Sequence, residues 1–409
     1  MLNFIWITFF ATAFIVALIK LLAFGDTEIF GQLMTAMFSL SKTAFEISLG
    51  LTGILALWLG IMRIGERSGF IALLTRGLTP LFSKLMPEVP RNHPALGAMV
   101  MNISANALGL DNAATPLGIK AMKELQKLNP LKDTASNAQI LFLVINTSAV
   151  TLFPVTIFTY RAQLGAANPT DVFIPILIAT YASTMIGLLT VASVQKINLL
   201  DKVIVSYLGG FTVLIAALLS YFYGLSQADM LAQSALISNV ILFSLVMLFI
   251  AGAAIKKVNA YDAFIDGAKE GFETAITIIP YLVAMLVAIG VFRASGALDM
   301  LAEGLRYLVL ALNMDDRFID ALPTALMKPF SGSGARAMMV DTMQVYGADS
   351  FAGRLSSIVQ GSTETTFYVL AVYFGSVGIK NIRHAAACGL AADIAGILAA
   401  ILVAYWFFG

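Results

Sequence analysis

The chain has 409 residues, of which 59% are hydrophobic and only 12% charged, with a net charge of +1. Ordinary soluble domains run at roughly 45–50% apolar and about 25% charged, so this balance points to an integral membrane protein. Near-neutrality gives no case for nucleic-acid binding; the single cysteine, Cys388, excludes an internal disulfide, and two histidines, His93 and His384, leave no Cys/His metal cluster.

Nearly charge-free runs of about 20 residues, the length that crosses a hydrocarbon core, predict transmembrane helices. In chain order nine full ones lie near 3–24, 43–63, 137–160, 172–195, 203–224, 233–255, 270–293, 352–376 and 385–408. The first has no basic segment before it, too long an apolar run for a signal peptide and its one cation, Lys20, at the far end, so it reads as a retained helix. Residues 66–130 and 297–350 are apolar in patches but interrupted by Gly, Pro and charge, which predicts amphipathic or re-entrant segments. Glu46 and Glu273 fall at predicted span starts, where a helix N-terminus favours a carboxylate.

An internal repeat organises these elements. A shift of 227 aligns 44–106 with 271–333 without a gap, with 13 of the 63 pairs identical, including Phe45-Glu46 with Phe272-Glu273 and Ser68-Gly69 with Ser295-Gly296. Downstream the shift becomes 215, pairing NTSAVT (146–151) with GSTETT (361–366). Only the span 203–224 lacks a partner. Four crossings per repeat with one connecting helix put the second repeat upside down relative to the first, which predicts inverted repeats over 1–200 and 231–409 joined through 201–230. With the N-terminus inside and the C-terminus outside, cytoplasmic segments hold 16 of the 25 Lys and Arg, as the positive-inside rule requires.

Four polar segments interrupt the apolar frame. The first pair, 101–122 and 328–343, is rich in small residues and reads as two re-entrant hairpin tips. The second pair, 144–156 and 359–371, places runs of hydrogen-bonding side chains inside predicted spans and reads as two discontinuous helices. Irregular backbone at membrane depth must be buried in protein or line a cavity, and broken helices of this kind aim their half-helix ends at a midplane site. Glu364 is an ionisable group inside a span, which marks a functional site. Asp393 has two readings, as a coupling-ion group or as a partner for a neighbouring helix. Arg336 likewise meets either an anionic substrate or an aqueous vestibule. The SGSGAR run lacks the spacing of a phosphate-binding loop, and no strand precedes it. Nothing supports nucleophilic or metal catalysis, so no enzyme, metal or cofactor is expected.

ANALGLDNAATPLGIKAMKELQKLNP and FLVINTSAVTLFPVT in the first half resemble spore maturation protein A, and ALMKPFSGSGARAMMVDTM, QGSTETTFYVLAVYFGSVGIK and RHAAACGLAADIAG in the second resemble spore maturation protein B. The chain is therefore similar to a fusion of the two members of that family, A-like before B-like. Each half also resembles a nucleoside-recognition, or Gate, domain, as found in concentrative nucleoside transporters and ferrous-iron transport proteins. The resemblance implies paired hairpins and broken helices around a solute and a coupling cation. It nominates Asn102, Ser104 and Asn106 on one hairpin, Ser331, Ser333 and Arg336 on the other, and Asn146, Thr147, Ser148, Gln360, Ser362, Thr363 and Glu364 on the broken helices.

The expectation is an all-α polytopic protein of a bacterial inner membrane, a secondary transporter or permease for a small polar, nucleoside-like solute working by alternating access. Coupling to H⁺ or Na⁺ through Glu364 and Asp393 is left open. A homo-oligomer and a self-sufficient pair of Gate halves are both compatible with the resemblance. The alternative is a non-transporting scaffold for envelope or spore assembly.

Overall fold

The computed structural model describes residues 2–108, 111–148 and 151–409. Among them the regular elements are helical, with one isolated bridge between Thr134 and Asn381. The order is α1 (Leu2–Phe24), α2 (Ile29–Arg67), α3 (Phe70–Leu85), α4 (Pro94–Ala107), α5 (Asp111–Leu128), α6 (Asn137–Thr147), α7 (Val155–Gln163), α8 (Phe173–Gln195) and α9 (Lys202–Tyr223). There follow α10 (Gln227–Ile255), α11 (Ala260–Ala294), α12 (Ala297–Ala311), a 3-10 turn (Arg317–Ala321), α13 (Leu322–Met327), α14 (Gly332–Tyr346), α15 (Phe351–Ser362), α16 (Thr366–Gly375) and α17 (Ala385–Phe408).

Seven of these helices, α1, α2, α8, α9, α10, α11 and α17, are long and apolar enough to cross a membrane unbroken. The nine expected full spans are thus reduced. The two that drop out, 137–160 and 352–376, are α6 with α7 and α15 with α16, each pair separated by a break. Two long helices also begin well before their charge-free windows: α2 starts at Ile29 and α11 at Ala260. Glu46 and Glu273 therefore sit inside helices, not at their starts, and the macrodipole account of them fails. Glu46 instead faces Lys42 one turn back at 3.7 Å on an exposed surface.

Local chemistry explains the boundaries. Gly69 (φ 78°) and Gly296 (φ 84°) take the left-handed conformation that ends α2 and α11 and opens α3 and α12. Ser136 and Gln139 form a capping box that starts α6. The first break ends at Pro154, the N-cap of α7, whose ring lacks an N–H to donate and disfavours helical backbone at the residue before it. The second passes through Thr363 and Thr365, both extended, β-branched residues.

Matching elements pack against each other in opposite directions. In α2 and α11, Leu40 lies beside Gly290, Ala56 beside Gly271 and Leu59 beside Gly267. In α8 and α17, Gln195 meets His384, Gly187 meets Ala392, and Ser183 meets Gly396. Each left-handed turn carries a lysine from the other half, Lys256 over Gly69 and Lys20 over Gly296.

Two loop clusters close the ends of the bundle. At one, buried Arg161 donates from Nη1 to the Ala348 carbonyl at 2.7 Å and from Nη2 to Asp171 at 2.8 Å and Asp349 at 3.1 Å. At the other, Arg383 Nη1 donates to the Ala135 carbonyl at 3.0 Å. The main apolar core, built largely from α2, α7, α8, α11, α14, α15 and α17, reaches the Arg161 end at Ala348, and a second core, from α3 to α6, α8, α16 and α17, reaches the Arg383 end at Ala135. Exposed Phe4, Phe14, Val213 and Phe243 mark α1, α9 and α10 as the perimeter that meets lipid.

Candidate functional site

The two helix breaks meet at the centre of the chain's polar residues. The Glu364 N–H, freed by the end of α15, donates to the Thr147 carbonyl, freed by the end of α6, at 2.8 Å. Each break also leans on the hairpin of its own half: Leu152 N–H donates to Ala107 O at 3.0 Å, and Phe367 N–H to Pro329 O at 3.0 Å. Backbone groups left over by broken helices are thereby satisfied by other backbone, which lets the breaks exist inside a packed protein.

The sequence-nominated residues divide by what their side chains do. Asn106 donates to Asn146 Oδ1 at 2.8 Å, and Asn146 donates to Phe142 O at 2.8 Å, tying the first hairpin to α6. Asn102 donates to Ala114 O at 2.7 Å and lies 3.4 Å from the Tyr373 hydroxyl on α16, but its Oδ1 is unbonded, as is the buried Ser104 hydroxyl. Thr147, Ser148 and Ser362 return their hydroxyls to carbonyls one turn back in their own helices. Ser331 caps α14 through Gly334 N at 3.0 Å and sits 3.3 Å from Ser333 Oγ. Arg336 stacks over the Tyr160 ring at 5.9 Å, on the side of α7. The described residues show the hairpins seated on the breaks, with the two breaks joined between them; the first hairpin's tip at 109–110, the side chains of 111–113, and residues 149–150 of the first break lie outside the described residues.

The second break is where unpaired polarity concentrates. Asp393, fully buried on α17, has no hydrogen bond to either carboxyl oxygen, and the hydroxyls of Thr363, Thr365 and Thr366 are buried and unbonded too. Thr366 and Thr363 stand beside that carboxyl, with the charged side chains of Lys328 and Glu364 around it. Two glycines on the Asp393 face of α17 make the approach: a Cβ on Gly389 would stand 2.7 Å from Thr366 Cγ2, and one on Gly396 2.5 Å from Thr363 Cγ2. Gln360 Oε1 and Ser183 Oγ add further unbonded oxygens. Buried polar atoms are nearly always bonded in folded proteins, so a cluster of bare oxygens calls for an occupant. The set is all oxygen, suited to a hard cation, a proton or the donors of a polar solute.

Several of these residues escaped the sequence reading. Thr365, Thr366, Ser183 and Lys328 belong to the site but were not nominated. A signal for Asp393 existed in a third shift, 209, which aligns Thr180, Thr184 and Gly187 with Gly389, Asp393 and Gly396. The structure uses those partners in kind: Thr180 and Thr184 donate to the Ser148 carbonyl at 3.4 Å each, at the first break. Asp393 thus has a counterpart, a threonine instead of a carboxylate.

Comparison with known proteins agrees with this architecture. The family described as Gate, nucleoside recognition, matches residues 48–164 and 275–380, which span both hairpins and both breaks. Spore maturation protein B of Bacillus subtilis (strain 168) is 48% identical over 177 residues, 42% of this chain and 98% of that protein. Spore maturation protein A of the same organism is 40% identical over 183 residues, 45% of this chain and 90% of that protein. With more than half its length matched and both relatives covered almost end to end, the chain belongs to the nucleoside-recognition Gate family.

Proposed function

We propose that the chain is a secondary transporter for a small polar solute, built as two inverted Gate repeats (1–200 and 231–409, joined through 201–230) in a bacterial inner membrane. The carrying observation is the nest of bare, buried oxygens around Asp393, Thr363 and Thr366, beside two helix breaks that are bonded to each other. Each buried polar group left without a partner costs about 1–3 kcal/mol, a cost that a polar solute or ion bound among these oxygens would offset. Antiparallel packing of α2 with α11 and of α8 with α17 supports the inversion, and inversion supplies two related states through which a central site can open to either side. The family's description makes nucleosides the first solute class to test. Asp393 would carry the coupling proton or Na⁺, with Glu364 at the mouth of the break.

The test uses purified full-length protein reconstituted into vesicles. Nucleosides, amino acids and ions are screened by thermal shift, and stabilising solutes are then tested for uptake under imposed H⁺ or Na⁺ gradients. The wild type is expected to accumulate at least one nucleoside-like solute, while Asp393→Asn still binds it but no longer accumulates it against a gradient. Wild-type protein that is neither stabilised by nor takes up any of these solutes would defeat the transport reading in favour of an assembly scaffold.

A further inference from the structure

A second polar site draws on none of the residues at the breaks. A cleft of about 460 Å³ opens between α3, the loop after it and the start of α9, lined by Arg76, Thr79, Ser83, Lys84, Arg91 and Val203. Lys84 is held by Asp201 at 3.0 Å, the residue that also caps α9. Arg76 and Arg91 are exposed and have no acidic partner among the described residues. The cleft therefore keeps a net positive charge after its internal pair is counted.

The repeat shows that this charge is not a requirement of the fold. At the same positions in the other half, the shift of 227 places Glu303 opposite Arg76, Ala311 opposite Lys84 and Phe318 opposite Arg91. One wall is also without a counterpart, because α9 is the helix that the repeat does not duplicate. Of the two related positions, the first half's carries this basic cleft and the second half's does not.

What borders the cleft decides its ligand. The walls continue into apolar surface, with Leu73 on α3 and Val205, Val213 and Leu214 on α9 all exposed. The Tyr207 hydroxyl, donating to the Gly77 carbonyl, staples the two helices beside it. Cations at the rim of a lipid-facing helix match a molecule with a phosphate at one end and acyl chains at the other. We propose that the cleft binds the phosphate of an anionic phospholipid between Arg76 and Arg91, with the acyl chains laid along α9.

Native mass spectrometry of the full-length protein in detergent tests this, with phosphatidylglycerol or phosphatidylcholine supplied in the micelle and inorganic phosphate as the soluble competitor. Retention of phosphatidylglycerol over phosphatidylcholine is expected, unaffected by millimolar phosphate, and should fall about 30-fold in Arg76→Ala/Arg91→Ala, the loss of two cations near a membrane surface. Equal retention of the two lipids, or an unchanged preference in the double variant, overturns the site. Displacement by inorganic phosphate overturns the lipid assignment and points to a soluble phosphorylated ligand. Should the alanine pair fail to fold, Arg76→Lys/Arg91→Lys replaces it: the lysine pair must keep the preference, and its loss counts against the proposal.

Discussion

Two buried ionisable side chains, Arg161 and Asp393, show how differently one membrane protein can treat a charge. Both are fully shielded from solvent. Arg161 is surrounded by acceptors: two carboxylates and the carbonyls of Ala348 and Pro169, the latter at 3.1 Å from Nε. Asp393 has none of its oxygens bonded. The first arrangement is what a structural clamp needs, and the second is what a binding site leaves open. Replacing Arg161 by Ala strands Asp171 and Asp349 beside Arg354 and should cost about 3–5 kcal/mol, the penalty for breaking one side of a buried pair. Asp393→Asn keeps the shape of a buried acid whose oxygens give up no hydrogen bond, and should leave stability unchanged or raised. Thermal melts of the two variants in the same detergent check the contrast; equal destabilisation would remove the distinction on which the site rests. Sequence alone ranked Glu364 above Asp393, because a carboxylate in a polar run is conspicuous and one in LAADIAGILAA is not. What singles out Asp393 is the pair of flanking glycines at helical spacing, and their meaning appears only when the threonines pack against them.

At the scale of elements, the breaks were legible because consecutive hydrogen-bonding side chains in an apolar span have no other economical reading. Their extent was less legible. A hydropathy window averages over Pro154 or Thr363–Thr365 and still reports one crossing, so 137–160 and 352–376 were counted as full spans. The same averaging hid the first turns of α2 and α11, where polar residues such as Lys42 and Lys269 share the helix with apolar ones facing inward. Packing between those two helices depends on close backbone approach. A Cβ on Gly271 would stand 2.6 Å from the Ala56 backbone, and one on Gly267 2.3 Å from the Leu59 carbonyl. Neither neighbour is a side chain that can swing away, so the helices themselves must part. Gly271→Ala should therefore destabilise the protein by about 1–3 kcal/mol, the usual cost of overpacking, despite the helix propensity gained. Gly77→Ala on α3, where nothing lies within 4 Å of the added Cβ, is the matched control and should melt at or above the wild-type temperature.

The whole molecule is organised by its two ends. One gathers the α7–α8 and α14–α15 loops through Arg161, and the other gathers the α5–α6 and α16–α17 loops through Arg383. Each end thus joins a loop from one half to a loop from the other: Arg161, at the end of α7, grasps a carbonyl of the α14–α15 loop, and Arg383, before α17, grasps one of the α5–α6 loop. If the halves are inverted, these ends face opposite sides of the membrane, and the excess of Lys and Arg assigns the Arg383 end to the cytoplasm. On the proposed transport reading, the central breaks lie between these two ends, and rocking of one half against the other would open one route as it closes the other. The single cysteine is buried, so Cys388→Ala gives a background for labelling. On it, Asn168→Cys at the Arg161 end should react with a membrane-impermeant maleimide in intact cells, while exposed Leu131→Cys at the Arg383 end should react only after permeabilisation. Labelling of both from one side would mean that the ends share a face; a central site then has no second exit, and both the inversion and the alternating-access reading fall together.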